Sequence, residues 1–142
     1  MKLLRASILA AVGMVILGGL IALMSRFDRL RDPDRVGFIL NVPTVPASVR
    51  NIECSSGAIT DVIITCAFAI DAKDFDRLLV GWQFEKSTSG RSTSYMSYPD
   101  LGREFDVATT YRAEPESFKH GGSVDLVSNA DRTLAVASRF EE

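Results

Sequence analysis

Residues 62–82, VIITCAFAIDAKDFDRLLVGW, carry the clearest structural signal in this chain, because the spacing of apolar residues changes within them. Residues 62–70 alternate between two sets that are both apolar, small or β-branched, which predicts a strand covered on both faces. From Asp71 the spacing becomes helical, with Asp71 as the N-cap and Gly81 as the terminator. A strand followed by a short amphipathic helix predicts a two-layer α+β domain. The apolar stripe of the helix indicates a core face rather than a ligand-binding box and comprises Phe75, Leu78, Leu79 and Trp82.

Shorter strand-like segments lie on both sides of this unit. The first of them is expected to end at a turn around residues 55–57. Residues 86–94, KSTSGRSTS, contain no apolar side chain and therefore predict a mobile loop. Residues 49–142 are thus expected to form one soluble α+β domain, mainly an antiparallel sheet with one covering helix. The further strand candidates are 49–54, 104–111 and a closing hairpin of 123–127 and 133–140.

Residues 1–25 predict an N-terminal tail and a membrane anchor. Residues 6–25, ASILAAVGMVILGGLIALMS, carry no charge. A helix of this length spans about 30 Å, the thickness of the hydrocarbon core of a bilayer. The alternative is a cleaved signal peptide, which also has a basic start and an apolar middle. Because the apolar stretch is longer than a usual signal-peptide core and no Ala-x-Ala site follows it, we predict a single transmembrane helix.

Residues 26–48 are predicted to be a juxtamembrane connector between the anchor and the domain. Residues 26–35 form a dense run of alternating charge. The apolar stretch that follows is interrupted by Pro43 and Pro46, and proline is confined to the edges and ends of sheets. We therefore expect extended chain here, with an edge strand over residues 36–42.

The side of the membrane on which the domain lies depends on two opposing signals. Two basic residues precede the apolar segment and four follow it, which under the positive-inside rule favours a cytoplasmic domain. The short, signal-like tail has little chain to translocate and favours the opposite orientation. We expect a single-pass protein of the cytoplasmic membrane with an extracytoplasmic C-terminal domain. The six basic residues are Lys2, Arg5, Arg26, Arg29, Arg31 and Arg35.

The charge of the chain beyond the anchor argues against nucleic-acid binding. The whole chain has 16 basic and 18 acidic side chains. Two of the basic ones precede the apolar segment, so the remainder has 14 basic and 18 acidic side chains and a net charge of −4. Proteins that bind nucleic acids usually present a basic face. The expected partners are therefore the lipid bilayer and a membrane or envelope protein.

Two cysteines, Cys54 and Cys66, lie twelve residues apart. A disulfide requires Cα atoms within about 7 Å of each other. The two residues lie opposite each other if a wide loop connects their strands, whereas a tight turn at Gly57 places Cys54 near Asp61. In an extracytoplasmic domain we expect a disulfide, with two buried free thiols as the alternative. A zinc site is not expected, because there is one histidine and no CxxC spacing.

His120 is the only histidine in the chain. A hydrolase would need it to activate a nucleophile such as Ser123, with a carboxylate such as Glu114 or Glu116 and an oxyanion hole. The glycines after His120 instead predict a surface turn. Three carboxylates at the start of the predicted helix favour capping over calcium binding, since a calcium loop also needs a glycine and a distal glutamate. No catalytic, metal-binding or cofactor-binding residue is therefore predicted. The three carboxylates belong to Asp71, Asp74 and Asp76.

Two short segments carry a resemblance to known proteins. PASVRNI at residues 46–52, Asp61, and an apolar strand that leads into DAKDFDRLL at residues 71–79 together resemble a pattern of small bacterial lipoproteins and membrane-tethered proteins. Those proteins lack an assigned activity. Ala67 stands where an arginine is common in them, and no lipid-accepting cysteine is present near the anchor. The resemblance implies an exported bacterial domain and transfers no active-site residue.

The function predicted from these features is a membrane-tethered accessory or interaction module. Tethering raises the effective concentration of the domain near membrane partners. Tyr95, Tyr98 and Tyr111 are the expected contact surface, because their spacing does not follow a core period. One alternative is a small-ligand carrier or sensor, which predicts an apolar pocket between helix and sheet. The other alternative is a hydrolase that uses His120.

Overall fold

The computed structural model of the chain describes residues 33–57, 62–95 and 101–142. In this part of the chain no helix is both long enough and apolar enough to cross a bilayer. The predicted transmembrane segment, residues 6–25, lies outside the described residues. The elements, in chain order, are helix α1 (Pro33–Leu40), strands β1 (Arg50–Gly57) and β2 (Val62–Ala69), a 3₁₀ helix (Ala72–Leu78), and strands β3 (Glu85–Tyr95), β4 (Phe105–Ala113), β5 (Gly122–Ser128) and β6 (Leu134–Glu141).

The described strands form one antiparallel six-stranded sheet in the order β1-β2-β6-β5-β4-β3. The small antiparallel α+β domain predicted from the sequence is therefore confirmed. The C-terminal hairpin is confirmed as β5 and β6, which pair from Gly122 with Glu141 to Ser128 with Ala135. Strand β2 lies between β1 and β6, and its central residues are buried on both faces, as the double alternation predicts.

The main core lies between one face of the sheet and a layer made of α1 and the 3₁₀ helix. The largest side chains of this core are fully buried. Their removal from water is the main contribution to the stability of the fold, because they carry the largest apolar surfaces. The other face is covered more thinly, where Leu101 packs on Ala67 and Val136. Gly102, at φ +71°, lies so close that an added Cβ would be 2.4 Å from the Cβ of Ala67. The fully buried residues of the main core include Phe75, Ile39, Leu40, Ile70 and Leu78.

The prediction of an edge strand over residues 36–42 is wrong, because residues 33–40 form helix α1. Pro33 occupies the start of the helix, where its missing N–H is not needed. Asn41 adopts a left-handed conformation with φ 54°, and the N–H of Val42 donates to the carbonyl of Gly37 at 3.0 Å. This is the hydrogen bond of a Schellman motif, which ends a helix. Of the apolar residues that suggested a strand, three lie on the buried side of α1 and belong to the same core as the sheet, namely Val36, Ile39 and Leu40. Phe38 lies on the other side of α1 and is exposed.

The prediction of a mobile loop over residues 86–94 is also wrong, because these residues lie in β3. The strand pairs with β4, from Glu85 opposite Arg112 to Tyr95 opposite Phe105. An edge strand needs no apolar side chain when its backbone hydrogen bonds are satisfied by a neighbouring strand. Similarly, residues 55–57 continue β1 instead of forming a turn.

The predicted helix after β2 is present, but as a 3₁₀ helix that ends at Leu78, before Gly81. The N–H of Asp74 donates to the carbonyl of Asp71, which is the short hydrogen-bonding step of a 3₁₀ turn. The side chain of Asp71 makes no capping hydrogen bond. It accepts instead from Arg50 at 2.9 Å. Asp71 therefore occupies the predicted N-cap position, but its carboxylate binds β1 and not the start of the helix.

Candidate interaction site

A disulfide joins Cys54 and Cys66 across the β1–β2 ladder. The two residues are direct partners in the register, with their Cα atoms 4.1 Å apart. Strand β1 continues to Gly57, which pairs with Ile63. The expected disulfide is therefore confirmed, and both cysteines are buried in the main core.

The residues of the hydrolase hypothesis are not brought together. His120 is exposed in the turn between β4 and β5, and its side chain makes no hydrogen bond or ion pair with a hydroxyl or carboxylate within the described ranges. The Ser123 hydroxyl faces Asp125 at 3.5 Å, and Glu114 pairs with Arg112 at 3.2 Å. Each residue therefore has a partner of its own or faces solvent.

The three carboxylates near the 3₁₀ helix each bind a different cation. Arg50 lies 2.9 Å from Asp71, Arg77 lies 3.6 Å from Asp74, and Arg132 lies 2.9 Å from Asp76. Across the described residues no cluster of three or more potential metal ligands occurs. These carboxylates therefore tie β1, the 3₁₀ helix and the β5–β6 turn together.

Asp74 also accepts a hydrogen bond of 2.6 Å from the Ser48 hydroxyl. This hydrogen bond lowers the pKa of Asp74 from its ordinary value of 3.8, burial opposes it, and the charges of Arg77 and Lys73 act with it. A lowered pKa stabilises the fold above the unfolded-state value, and this stabilisation is lost as the pH falls through the folded-state pKa. In Ser48→Ala the pKa of Asp74 should move back towards 3.8, and less stability should be lost on acidification.

The pKa of Asp74 is measured directly by carboxyl ¹³C NMR between pH 2 and 6. The matched control is Ser55→Ala, an exposed serine in β1, which should leave the titration of Asp74 unchanged. An unchanged pKa in Ser48→Ala would mean that the neighbouring cations, and not the hydroxyl, hold it down.

The structure places the three tyrosines of the predicted contact surface differently. Tyr111 is buried, and its ring centroid lies 5.8 Å from that of Phe75 and 6.5 Å from that of Phe84. It is therefore a core residue. The backbone of Tyr95 pairs with Phe105 at the end of β3, while its side chain and all of Tyr98 lie outside the described parts.

A groove of about 730 Å³ lies between residues 80–85, which lead into β3, and residues 112–117, which comprise the end of β4 and the chain that follows it. We call it the Val80 groove. Val80 is 74% exposed and is the most exposed large apolar side chain in the described part of the chain. Trp82 and Pro115, both half-buried, also line the groove. Its surface therefore combines an apolar strip with the polar side chains that surround it.

Contacts with α1 hold one wall of the Val80 groove in place. Gly81 packs so tightly that an added Cβ would lie 1.9 Å from the carbonyl oxygen of Leu40. The Asn41 side-chain amide donates to the carbonyl of Gly81 at 3.0 Å, and the Trp82 indole N–H donates to the carbonyl of Ile39 at 2.9 Å. The loop that carries Val80 is thus attached to the end of α1 by two hydrogen bonds and a backbone contact.

Gly81→Ala should displace this loop, because backbone atoms on the other side cannot yield as a flexible side chain can. We expect a loss of about 1–3 kcal/mol in the free energy of unfolding, as for overpacking elsewhere. The measurement is urea denaturation followed by the fluorescence of Trp82. The control is Val80→Ala on the same loop, which removes an exposed side chain and should change stability by less than about 0.5 kcal/mol. Equal stability of the two variants would show that the contact with Leu40 yields easily.

The charge of the Val80 groove is negative. Of the described residues that line it, Arg112 is the one cation, and it is shared between Glu114 at 3.2 Å and Asp125 at 3.5 Å. Burial raises the pKa of Asp125, although the charge of Arg112 acts against this. Glu85 and Glu116 are exposed on the rim and make no ion pair within the described residues. The free carboxylates therefore favour a cationic partner.

Comparison of the chain with protein-family models, with curated proteins and with solved structures found no match. The resemblance of residues 46–52 and 71–79 to small bacterial lipoproteins stays a prediction.

The sequence did not indicate the Val80 groove. The spacing of its neighbours places Trp82 in a helical core stripe, and the sequence offers Glu114 and Glu116 only as partners of His120. The sequence around a valine in a loop does not show whether its side chain is exposed or belongs to the core. The charged residues of segment 112–116 and the loop of residues 80–85 become neighbours only because β3 pairs with β4.

Proposed function

We propose that this protein is an interaction module tethered to the cytoplasmic membrane, with its folded domain on the extracytoplasmic side. The observation that carries the proposal is the disulfide between Cys54 and Cys66, because disulfides persist in oxidising compartments and are rare in the cytosol. The uncharged, apolar residues 6–25 supply the tether. The resemblance to small bacterial membrane-tethered proteins agrees with this compartment.

The packing of the domain favours interaction over ligand storage. A carrier or sensor needs an apolar pocket between the helical layer and the sheet. Instead, the side chains that meet there, including Ile39, Phe75 and Leu78, are fully buried against the sheet. Protein surfaces such as the Val80 groove lie outside this packed region and are open to a partner.

Fusions to the C-terminus test the sidedness of the domain. Alkaline phosphatase is active only where its disulfides form, whereas green fluorescent protein exported through the general secretory pathway is dark. We expect an active phosphatase fusion and a dark fluorescent fusion in intact cells. The reverse pattern would place the domain in the cytoplasm and overturn the proposal.

Membrane attachment is tested by placing charges in the centre of the apolar segment. Ile16→Arg combined with Leu17→Arg should abolish stable insertion, because each arginine costs about 2.5–3.5 kcal/mol at the centre of a helix. The unaltered chain should stay in the membrane fraction after washing at alkaline pH and require detergent for release. The matched control is Ile16→Leu combined with Leu17→Ile, which keeps the segment apolar. If the unaltered chain were washed off the membrane without detergent, the proposed tether would be contradicted.

A further inference from the structure

We infer that the Val80 groove binds a segment of a partner protein in which Lys or Arg side chains flank an apolar side chain. The inference rests on the proposed function, because it names the surface of the interaction module and the chemistry of its partner. Its support comes from three features of the groove: a fixed apolar side chain, free carboxylates, and a wall that is already in place.

The apolar feature is Val80, which remains 74% exposed although the neighbouring chain is well packed. An apolar side chain on a mobile loop can fold back onto the protein surface. Val80 cannot do so easily, because Gly81 touches the backbone of Leu40 and Trp82 is hydrogen-bonded to Ile39. Contact with an apolar side chain of a partner removes Val80 and the exposed part of Trp82 from water, which is favourable.

The charged feature is the surplus of carboxylates around this apolar strip. Glu114 and Asp125 already share Arg112. Glu85 and Glu116 make no ion pair with any described residue, and their carboxylates can therefore pair with an incoming cation. A basic side chain on the partner is attracted to both rims of the groove, whereas an acidic one is repelled. The same charges disfavour an anionic lipid headgroup or a nucleic acid as the occupant.

The third feature is preorganisation. The loop of Val80 is held by α1, and the opposite wall is the end of β4, which is hydrogen-bonded in the sheet. A surface that is already ordered loses little conformational entropy when a partner binds. The groove therefore needs no rearrangement to receive a polypeptide segment.

Photo-crosslinking in the full chain, expressed in its own membrane, tests the inference. Val80→p-benzoylphenylalanine places a light-activated group in the groove, and mass spectrometry identifies the captured peptide. We expect a polypeptide adduct whose captured segment has Lys or Arg next to an apolar residue. Capture of a second copy of this chain, of lipid or of an acidic segment, or the absence of any adduct, would each overturn the inference.

Charge reversal separates a specific groove from incidental proximity. Glu114→Lys combined with Glu116→Lys should lower the adduct yield about tenfold, as expected for reversal of two charges on a binding rim. The matched control is Glu104→Lys combined with Asp106→Lys, two exposed carboxylates with the same spacing at the other end of β4. The control should leave the yield unchanged. Equal loss in both pairs would show that overall charge, and not the groove, governs capture.

A second crosslinking position distinguishes failure of the inference from failure of the proposed function. Phe38 is 48% exposed and is not part of the groove. Protein adducts from Phe38→p-benzoylphenylalanine without any from position 80 would overturn the groove and leave an interaction module that uses another surface. Absence of protein adducts at both positions would count against the interaction module as well.

Discussion

Phe75→Ala is expected to lower the free energy of unfolding by about 3–5 kcal/mol, the range found when a buried phenylalanine is truncated. Phe75 is fully buried in the 3₁₀ helix, its ring lies 5.8 Å from that of Tyr111, and the guanidinium of Arg132 lies 5.4 Å from its centroid. Truncation therefore opens a cavity at the contact between the helical layer and the sheet. Urea denaturation of the full chain in nonionic detergent, followed by the fluorescence of Trp82, measures the loss.

Phe38→Ala is the matched control for Phe75→Ala. Phe38 is 48% exposed on α1, where it stacks on the guanidinium of Arg139 at 4.3 Å. Its truncation removes this contact without opening a core cavity, and we expect a loss of about 1 kcal/mol. If the two variants lost equal stability, the helical layer would not be held to the sheet by Phe75.

Removal of the disulfide in Cys54→Ala combined with Cys66→Ala should lower the free energy of unfolding by about 3 kcal/mol. The bridge closes a short loop and thereby restricts the unfolded chain, although part of the effect is enthalpic. The two residues also lie in the main core, so the variant loses a small amount of packing in addition. The urea midpoint of the double variant, compared with that of the unaltered chain, gives the size of the effect.

A reductant provides the control for the disulfide. Because both sulfur atoms are buried, the reductant should act only when the chain is unfolded in urea and refolded in its presence. The refolded, reduced chain should then have a midpoint close to that of the double variant. The double variant itself should not respond to reductant. If this treatment left the urea midpoint of the unaltered chain unchanged, the disulfide would contribute nothing to stability.

Local patterns predicted the parts of the fold that depend on which face of a strand is buried. The double alternation of residues 62–70 gave an interior strand, and the apolar spacing near the C-terminus gave the β5–β6 hairpin. Both follow from a period of two along a strand whose faces differ in environment. The spacing of the cysteines allowed a disulfide without requiring it, since the length of β1 beyond Cys54 was not visible in the sequence.

Four features were decided only by contacts between residues far apart in the chain. Helix α1 exists because its apolar side packs on the sheet, and β3 exists because β4 satisfies its backbone. Tyr111 is buried because the 3₁₀ helix and Phe84 cover it. The Val80 groove forms because Gly81 fits against Leu40, about 40 positions earlier.

The sequence by itself determined the alternation of the strands, the two-layer class and the uncharged segment at the N-terminus. Those properties depend on residues within about ten positions of each other in the sequence, whose side chains lie on the same face or in the same environment. The tertiary structure alone decided that the polar residues 86–94 form a strand, that the ring of Tyr111 is buried and that Val80 stays exposed to solvent. Each of these outcomes depends on free energies gained from partners brought close by the fold, and no local pattern records such partners.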